Sequence, residues 1–453
     1  MKMVKKMMAL ALAAALTLTF AACQGGGPAP LPSVETPVLD SGQKLPSKEE
    51  PLPQETAAVQ DSGQEDPPKE EKEEAFKPPP LPKEERQQAG ELLAPQVEEI
   101  CRNYSTMGMS LVVFDREGPF YSQSWGWAVK ETGLPAGEDT IFRVASISKA
   151  VTALLALDLA EEGKLDLHGD LTGILGIPVN SPDTITPWHL LTHTSGIVDG
   201  QTYISAITAN SLPPLTAVLP QSLSGAAPGS CYCYSNLGMG MMSGVIESAA
   251  GERFLDYTGG KVFAPMGIDA AYSYTNIRDK GRVANIYAGS ALAVNMPAWS
   301  NMNVKYTGLP LGQLYALGHG DLFISAPDLC RFAQIMAGCP QEGEALSLSP
   351  EYLRLMQEVQ YREGEGVETV LRGLGTQITD YLIQGRRMVG HQGNAYGSIC
   401  GMFFDPEDHT GFVFLTNGVW GGKDEAGIYY VNREIAQAVY GAFFGEELVE
   451  EAG

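Results

Sequence analysis

The placement of strand-like segments limits the possible folds of this chain most strongly, because such segments stand at both ends of its globular part. Residues 109–114 and 120–127 predict one antiparallel hairpin, and residues 398–404 and 411–416 predict another. Mostly helical and loop patterns lie between them. We therefore predict an α/β (α+β) fold, in which an antiparallel sheet assembled from both ends is flanked by helices and carries a mostly helical subdomain.

The first 90 residues differ in composition from the rest. Residues 1–22 contain three lysines, an apolar run and then small residues, which is the layout of an export signal. Two alanines before Cys23 are typical of a bacterial lipobox, in which cleavage leaves an N-terminal cysteine that receives acyl chains. The alternative is an ordinary secretory signal with Cys23 incidental. Residues 23–90 are rich in Pro, Glu and Lys and predict a disordered tether.

These features predict an exported protein that is lipid-anchored through Cys23 to the outer face of the bacterial cytoplasmic membrane, within the cell envelope. A globular domain is expected over residues 91–447. The formal net charge of −24 argues against nucleic acid as a partner. The sequence leaves the oligomeric state open.

The remaining cysteines form no spacing that resembles a disulfide framework or a zinc site. We therefore expect buried, apolar thiols, and we predict no metal and no cofactor. The six residues are Cys101, Cys231, Cys233, Cys330, Cys339 and Cys400.

Ser146 and Lys149 form an S-x-x-K pattern at the start of a predicted helix over residues 146–162. Residues three apart on a helix share one face, so the Lys149 amine is expected beside the Ser146 hydroxyl. A serine in the first helical turn also meets free backbone N–H groups, which favour the negative charge of a nucleophile. The position directly after the strand-like residues 140–144 supports this interpretation.

Tyr234 and Asn236 form a second pattern, Y-x-N. On an extended segment these side chains point the same way, so both are expected in one cleft. A tyrosine beside Lys149 is expected to have a lowered pKa and to shuttle a proton between Ser146 and the leaving group. The alternative is a half-buried tyrosine followed by an asparagine that caps a helix ahead of Leu237.

His391 and Gly393 form a third pattern, H-x-G, after the strand-like residues 387–389. The glycine permits a close approach of the strand backbone to a ligand. The N–H of Asn394, together with that of Ser146, is a candidate oxyanion hole.

In this order and at these separations, S-x-x-K, Y-x-N and H-x-G resemble the three active-site motifs of the serine β-lactamase and penicillin-binding-protein superfamily. The likeness is strongest to the branch that holds class C β-lactamases, D-aminopeptidases and related esterases. It covers nearly all of the globular part, including residues 139–143 and 190–197. The resemblance implies a β-lactamase/transpeptidase-like fold.

The same resemblance implies the roles of the matching residues. Ser146 would form the acyl-enzyme, Lys149 and Tyr234 would share the acid and base work, and Asn236 would orient Lys149 and the substrate amide. One departure from the family concerns His391, because many β-lactamases and D-alanyl-D-alanine peptidases have Lys-Thr-Gly at this motif. A histidine is a weaker, pH-dependent cation for a substrate carboxylate.

We therefore expect a serine hydrolase that acts through an acyl-enzyme on an ester, amide, D-amino-acid peptide or β-lactam, with ester and peptide substrates favoured by His391. Its partners would be small-molecule or peptidoglycan-like substrates. A non-catalytic penicillin- or wall-fragment-binding lipoprotein that uses the same cleft is the main alternative. A solute-binding lipoprotein and a metallohydrolase that uses His189 and His193 fit less well, since the latter pair lacks the glutamate of H-E-x-x-H.

Overall fold

The structure is a computed structural model that describes residues 81–209, 211–299 and 308–445. The predicted signal segment and the lipidation residue Cys23 lie outside the described residues, as does most of the predicted tether. The tether boundary at residue 90 was wrong, because a helix already begins at Lys83.

In the described residues, thirteen strands form one large sheet and two small ones. In chain order they are β1 Gly108–Asp115, β2 Gly118–Val129, β3 Leu134–Pro135, β4 Ile141–Arg143, β5 Ile286–Ala288, β6 Ala291–Val294, β7 Phe323–Ser325, β8 Tyr361–Glu363, β9 Val370–Gly373, β10 Thr376–Ile383, β11 Arg386–Ala395, β12 Ser398–Asp405 and β13 Thr410–Thr416. The large sheet has nine antiparallel strands in the order β3-β2-β1-β13-β12-β11-β10-β9-β8. The pairs β4–β7 and β5–β6 are separate.

Twelve α-helices surround these sheets in the described residues. They are α1 Lys83–Asn103, α2 Ser148–Glu161, α3 Leu171–Leu175, α4 Pro187–Leu191, α5 Gln201–Ala209, α6 Leu215–Val218, α7 Asn236–Ala250, α8 Phe254–Tyr257, α9 Met296–Trp299, α10 Ala326–Met336, α11 Pro350–Gln357 and α12 Tyr430–Phe443. In this part of the chain no helix is both long and apolar enough to cross a membrane.

The central strands are covered on both faces. Every residue of β1 is buried, and successive side chains alternate between two cores. Leu111 and Val113 pack with the terminal helices α1 and α12. Val112 and Phe114 pack on the opposite face with α2, α7 and α10. The N-terminal and C-terminal ends of the described chain therefore close one face, and the helical subdomain closes the other.

The structure confirms both predicted hairpins. Strand β1 pairs with β2 in a register that places Met109 opposite Trp125, and β12 pairs with β13 with Asp405 opposite Thr410. Strand β1 also pairs directly with β13, so both ends of the domain meet at the centre of the sheet. The predicted antiparallel sheet with flanking helices is confirmed.

The cysteines follow the sequence expectation only in part. All six lie in the described residues outside any disulfide, and four of them are buried. Cys231 and Cys233 are half-buried instead, because they lie on the irregular segment that leads into α7.

Candidate active site

Ser146 lies in a tight turn between the small sheet and a buried helix. Strand β4 ends at Arg143, a 3₁₀ turn covers Ala145–Ile147, and α2 begins at Ser148. Ala145 has a φ of 48°, a left-handed conformation that a non-glycine residue adopts only when its surroundings hold it there. The prediction that the helix begins at Ser146 was therefore wrong, because a short 3₁₀ turn that contains Ser146 precedes α2.

Ser148, which follows the turn, fixes it to the rest of the protein. Its Oγ donates to the carbonyl of Ala145 at 2.6 Å and accepts from the N–H of Leu322 at 3.1 Å. The hydroxyl of Ser148 is thus buried and makes two hydrogen bonds, while Ser146 is half-buried.

Lys149 is completely buried, and its Nζ has three acceptors. It donates to Ser146 Oγ at 3.0 Å, to Asn236 Oδ1 at 2.9 Å and to the carbonyl of His319 at 2.6 Å. Burial lowers the pKa of the amine to about 7, and the nearby Asp199 carboxylate opposes this shift. An amine with this pKa is partly unprotonated at neutral pH and can accept a proton.

Tyr234 completes a hydrogen-bonded group around the nucleophile. Its hydroxyl donates to Ser146 Oγ at 2.8 Å, and its ring lies 4.4 Å from the ring of His193. The expectation of a lowered pKa was wrong. Burial raises the pKa of this phenol far above its ordinary value, so Tyr234 remains protonated.

Asn236 is the first residue of α7, and Ser235 caps that helix by accepting from the N–H of Gly238 at 2.9 Å. The alternative in which the asparagine is the cap is therefore wrong. The Asn236 amide points its oxygen at Lys149 and donates from Nδ2 to Asp199 at 2.8 Å.

The third motif lies on β11, next to the nucleophile turn. A Cβ added at Gly393 would stand 2.3 Å from the carbonyl oxygen of Val144, so only glycine lets the strand approach this closely. Asn394 follows on the same strand, and its side chain donates to Tyr429 Oη at 2.7 Å. The oxyanion-hole role of the Ser146 and Asn394 N–H groups stays a prediction.

His391 is buried on the same strand, and its Nδ1 lies 2.6 Å from the carbonyl of Gln392. Burial, together with the positive charges of Lys149 and Arg372, lowers the pKa of the imidazole to about 3. The ring is neutral at physiological pH, with Nδ1 donating to the carbonyl and Nε2 left as an acceptor. The expectation of a pH-dependent cation was therefore wrong.

Sequence reasoning missed two neighbours of the motif residues. Asp199 binds the Y-x-N segment, and the carbonyl of His319 binds the amine of Lys149. Asp199 stands two residues after the stretch 190–197, which carried part of the resemblance, so its position was the only available signal. A backbone carbonyl such as that of His319 leaves no residue-type signal.

The two histidines of the metallohydrolase alternative accept hydrogen bonds from backbone N–H groups. His193 Nδ1 accepts from the N–H of Ser235 at 3.2 Å, and His189 Nδ1 accepts from the N–H of Thr186 at 3.2 Å. In the described part of the chain, no three His, Cys, Asp or Glu side chains are grouped as metal ligands would be. Both rings are therefore explained by local structure.

Among models of known protein families, the model named Beta-lactamase matches residues 86–437 of this chain. Penicillin-binding protein 4 of Amycolatopsis lactamdurans is 24% identical over 320 residues, which are 69% of this chain and 81% of that protein. Esterase EstB of Burkholderia gladioli is 29% identical over 189 residues, 38% of this chain and 48% of the esterase. The structure of D-alanine carboxypeptidase AmpC from Burkholderia cenocepacia superposes with a TM-score of 0.60 at 20% identity, covering 79% of this chain and 99% of that one.

Proposed function

Because this chain belongs to the β-lactamase family, whose model matches residues 86–437, we propose that it is a serine hydrolase that forms an acyl-enzyme on Ser146. One observation carries the proposal. The Ser146 hydroxyl oxygen is the common acceptor of Lys149 Nζ at 3.0 Å and Tyr234 Oη at 2.8 Å. A buried amine and a buried phenol on one hydroxyl supply both a base and an acid to the same reacting atom.

The first step is the attack of Ser146 on an acyl carbon. The unprotonated amine of Lys149 takes the hydroxyl proton as the Oγ–C bond forms. The negative charge moves to the former carbonyl oxygen, for which the N–H groups of Ser146 and Asn394 are the proposed donors.

In the second step the tetrahedral intermediate collapses. The bond from the acyl carbon to the leaving group breaks, and the leaving group takes the proton of the Tyr234 hydroxyl. The ammonium of Lys149 then returns a proton to Tyr234, which regenerates both groups. Water attacks the acyl-enzyme along the same path in reverse and releases the acid.

For the substrate, we propose an ester or a D-amino-acid amide or peptide rather than a β-lactam. Neutral, buried His391 occupies the place of a lysine in the Lys-Thr-Gly motif, so β11 offers no cation to a substrate carboxylate. A relative named as an esterase supports the ester part of this range. The export signal and the anchor at Cys23 stay predictions, and with them the location in a cell envelope that supplies peptidoglycan-like substrates.

The test is intact-mass spectrometry of the full chain after incubation with a fluorophosphonate and, separately, with a penicillin. We expect a fluorophosphonate adduct that peptide mapping assigns to Ser146 and that is absent from Ser146→Ala. The same variant should lose all turnover of ester substrates while its thermal unfolding is unchanged.

A penicillin adduct in addition would extend the substrates to β-lactam-like acyl donors. Stable acylation without turnover of any ester or peptide would support a penicillin-binding lipoprotein instead. A wild-type chain that neither reagent labels would overturn the proposal.

A further inference from the structure

Asp199 lies in the loop between α4 and α5 and binds three consecutive residues, the last two of the Y-x-N motif and Leu237 after it. Its Oδ1 accepts from the N–H of Leu237 at 2.8 Å and from Ser235 Oγ at 3.2 Å. Its Oδ2 accepts from Asn236 Nδ2 at 2.8 Å. One carboxylate therefore fixes both the backbone at the start of α7 and the side chain that contacts Lys149.

The charges on the two sides of Asn236 determine its orientation. A carboxylate only accepts hydrogen bonds and an ammonium only donates them, whereas a primary amide does both from opposite ends. With Asp199 on one side and Lys149 on the other, only one amide orientation satisfies both partners. The flipped amide would set its oxygen against the carboxylate and its NH₂ group against the ammonium.

We propose that Asp199 is a positioning residue that acts through Asn236 to hold Lys149 in line with Ser146 for proton transfer. The inference rests on the proposed function, since it assigns Lys149 the role of base. Three acceptors surround the amine of Lys149, and Asp199 fixes one of them, the side-chain oxygen of Asn236.

Asp199 also sets the charge around the amine. The charged or titratable groups near Lys149 are Asp199, Asp321, Arg143, Tyr234, His193, His319 and His391. Of the two carboxylates, Asp199 has the larger effect in raising the pKa of Lys149 against the effect of burial. Removal of its charge should lower that pKa, so the rise of activity with pH should move to lower pH.

The first variant is Asp199→Asn, measured by the rate of fluorophosphonate labelling of Ser146 across pH in the full chain. The new amide can still accept from Leu237, but it presents a donor to Asn236 and forces that amide to flip. We expect labelling to slow by about ten- to hundredfold, the range for a lost hydrogen bond to a charged group. The pH at which the rate is half-maximal should fall.

The second variant exchanges the two side chains, Asp199→Asn with Asn236→Asp. Asn at 199 then donates to the carboxylate at 236, and that carboxylate accepts from Lys149. Hydrogen-bond donors and acceptors again match along this chain of side chains, and the negative charge now lies next to the Lys149 amine. We expect the labelling rate to recover relative to Asp199→Asn, while the half-maximal pH rises above that of the wild type.

Asp380→Asn is the matched control, because it removes one negative charge at an exposed ion pair with Arg387 on the large sheet. Its labelling profile should equal that of the wild type. The inference is wrong if wild-type Ser146 is labelled, Asp199→Asn keeps the wild-type half-maximal pH, and the exchange variant labels no faster than Asp199→Asn. In that case Asp199 only holds its loop against α7. If Asp199→Asn does not fold, the labelling rate and half-maximal pH of the exchange variant test the inference instead. Absence of labelling in the wild type would refute the proposed function itself.

Discussion

At the scale of single residues, burial shifts two pKa values in opposite directions at the proposed active site. The charged form of either group loses its hydration, so the pKa of Lys149 falls to about 7 and the pKa of Tyr234 rises. Lys149 becomes available as a base, and Tyr234 stays a proton donor. Both are bound to the same oxygen of Ser146, which assigns acid and base without any further side chain.

The proposed role of Tyr234 as a proton donor predicts that its importance depends on the leaving group. Tyr234→Phe removes the donor but keeps the contact between Lys149 and Ser146. A p-nitrophenyl ester departs as a stable anion, whereas an alkyl amide needs a proton to leave. We expect kcat/KM to fall by about a hundredfold or more for the amide and clearly less for the p-nitrophenyl ester.

Steady-state kinetics on the two substrates measures this difference. Tyr430→Phe is the control, since Tyr430 is 45% exposed and stands outside the site. Equal losses on both substrates would assign Tyr234 to binding or to the base instead of to the acid.

The residue types of the site were predictable from the sequence, but their charge states were not. S-x-x-K, Y-x-N and H-x-G give the order and spacing of the motifs. The pKa of His391 depends on burial and on Lys149 and Arg372, which reach it from distant parts of the chain. No pattern within the motif itself contains that information.

At the scale of elements, local periodicity identified the hairpins that form within short stretches of chain. It missed the short edge strand β8 and its neighbour β9, because neither is long enough to show an alternating apolar pattern and β8 is partly exposed. It also extended α2 through Ser146, although the chain forms a 3₁₀ turn there. Such a turn depends on its tertiary contacts, among them the strand β11 that packs against it.

The close approach of β11 to this turn predicts that Gly393→Ala damages both stability and activity. The added methyl would overlap the carbonyl oxygen of Val144, which is 2.3 Å from the Cβ position. We expect a loss of about 1–3 kcal/mol in the free energy of unfolding, as for overpacked cores. Acylation of Ser146 should slow as well, because the strand can no longer lie against the turn.

Denaturant unfolding and fluorophosphonate labelling measure the two effects. Gly173→Ala in α3 is the control, since its Cβ would meet no atom within 4 Å. That variant should be as stable as the wild type or slightly more stable. Unchanged stability and labelling in Gly393→Ala would show that β11 can move away from the turn without cost.

At the scale of the whole molecule, the fold closes only when both ends of the domain meet. Helices α1 and α12 pack together on the face of the sheet opposite the helical subdomain. Composition placed the start of the domain too late, because residues 83–90 contain the same Glu, Lys and Gln as the tether before them. What makes them helical is tertiary packing, which composition does not report.

Arg86 shows why these eight residues belong to the fold. Its guanidinium lies 2.6 Å from the carboxylate of Asp115 and 4.3 Å from the centre of the Phe120 ring. The side chain of Asp115 is only 8% exposed, so its charge needs a partner. Lys83 pairs with Glu117 nearby, but both of those side chains are largely exposed.

A chain that starts at residue 91 should therefore be less stable than one that starts at residue 81. We expect the free energy of unfolding to fall by about 1–3 kcal/mol, since the loss combines a charged hydrogen bond with a cation–π contact. Arg86→Ala in the longer chain should reproduce most of the loss, whereas Lys83→Ala should leave stability unchanged because exposed ion pairs contribute little. If the two chains instead unfold at the same temperature, the domain begins at residue 91 and the first two turns of α1 do not contribute to its stability.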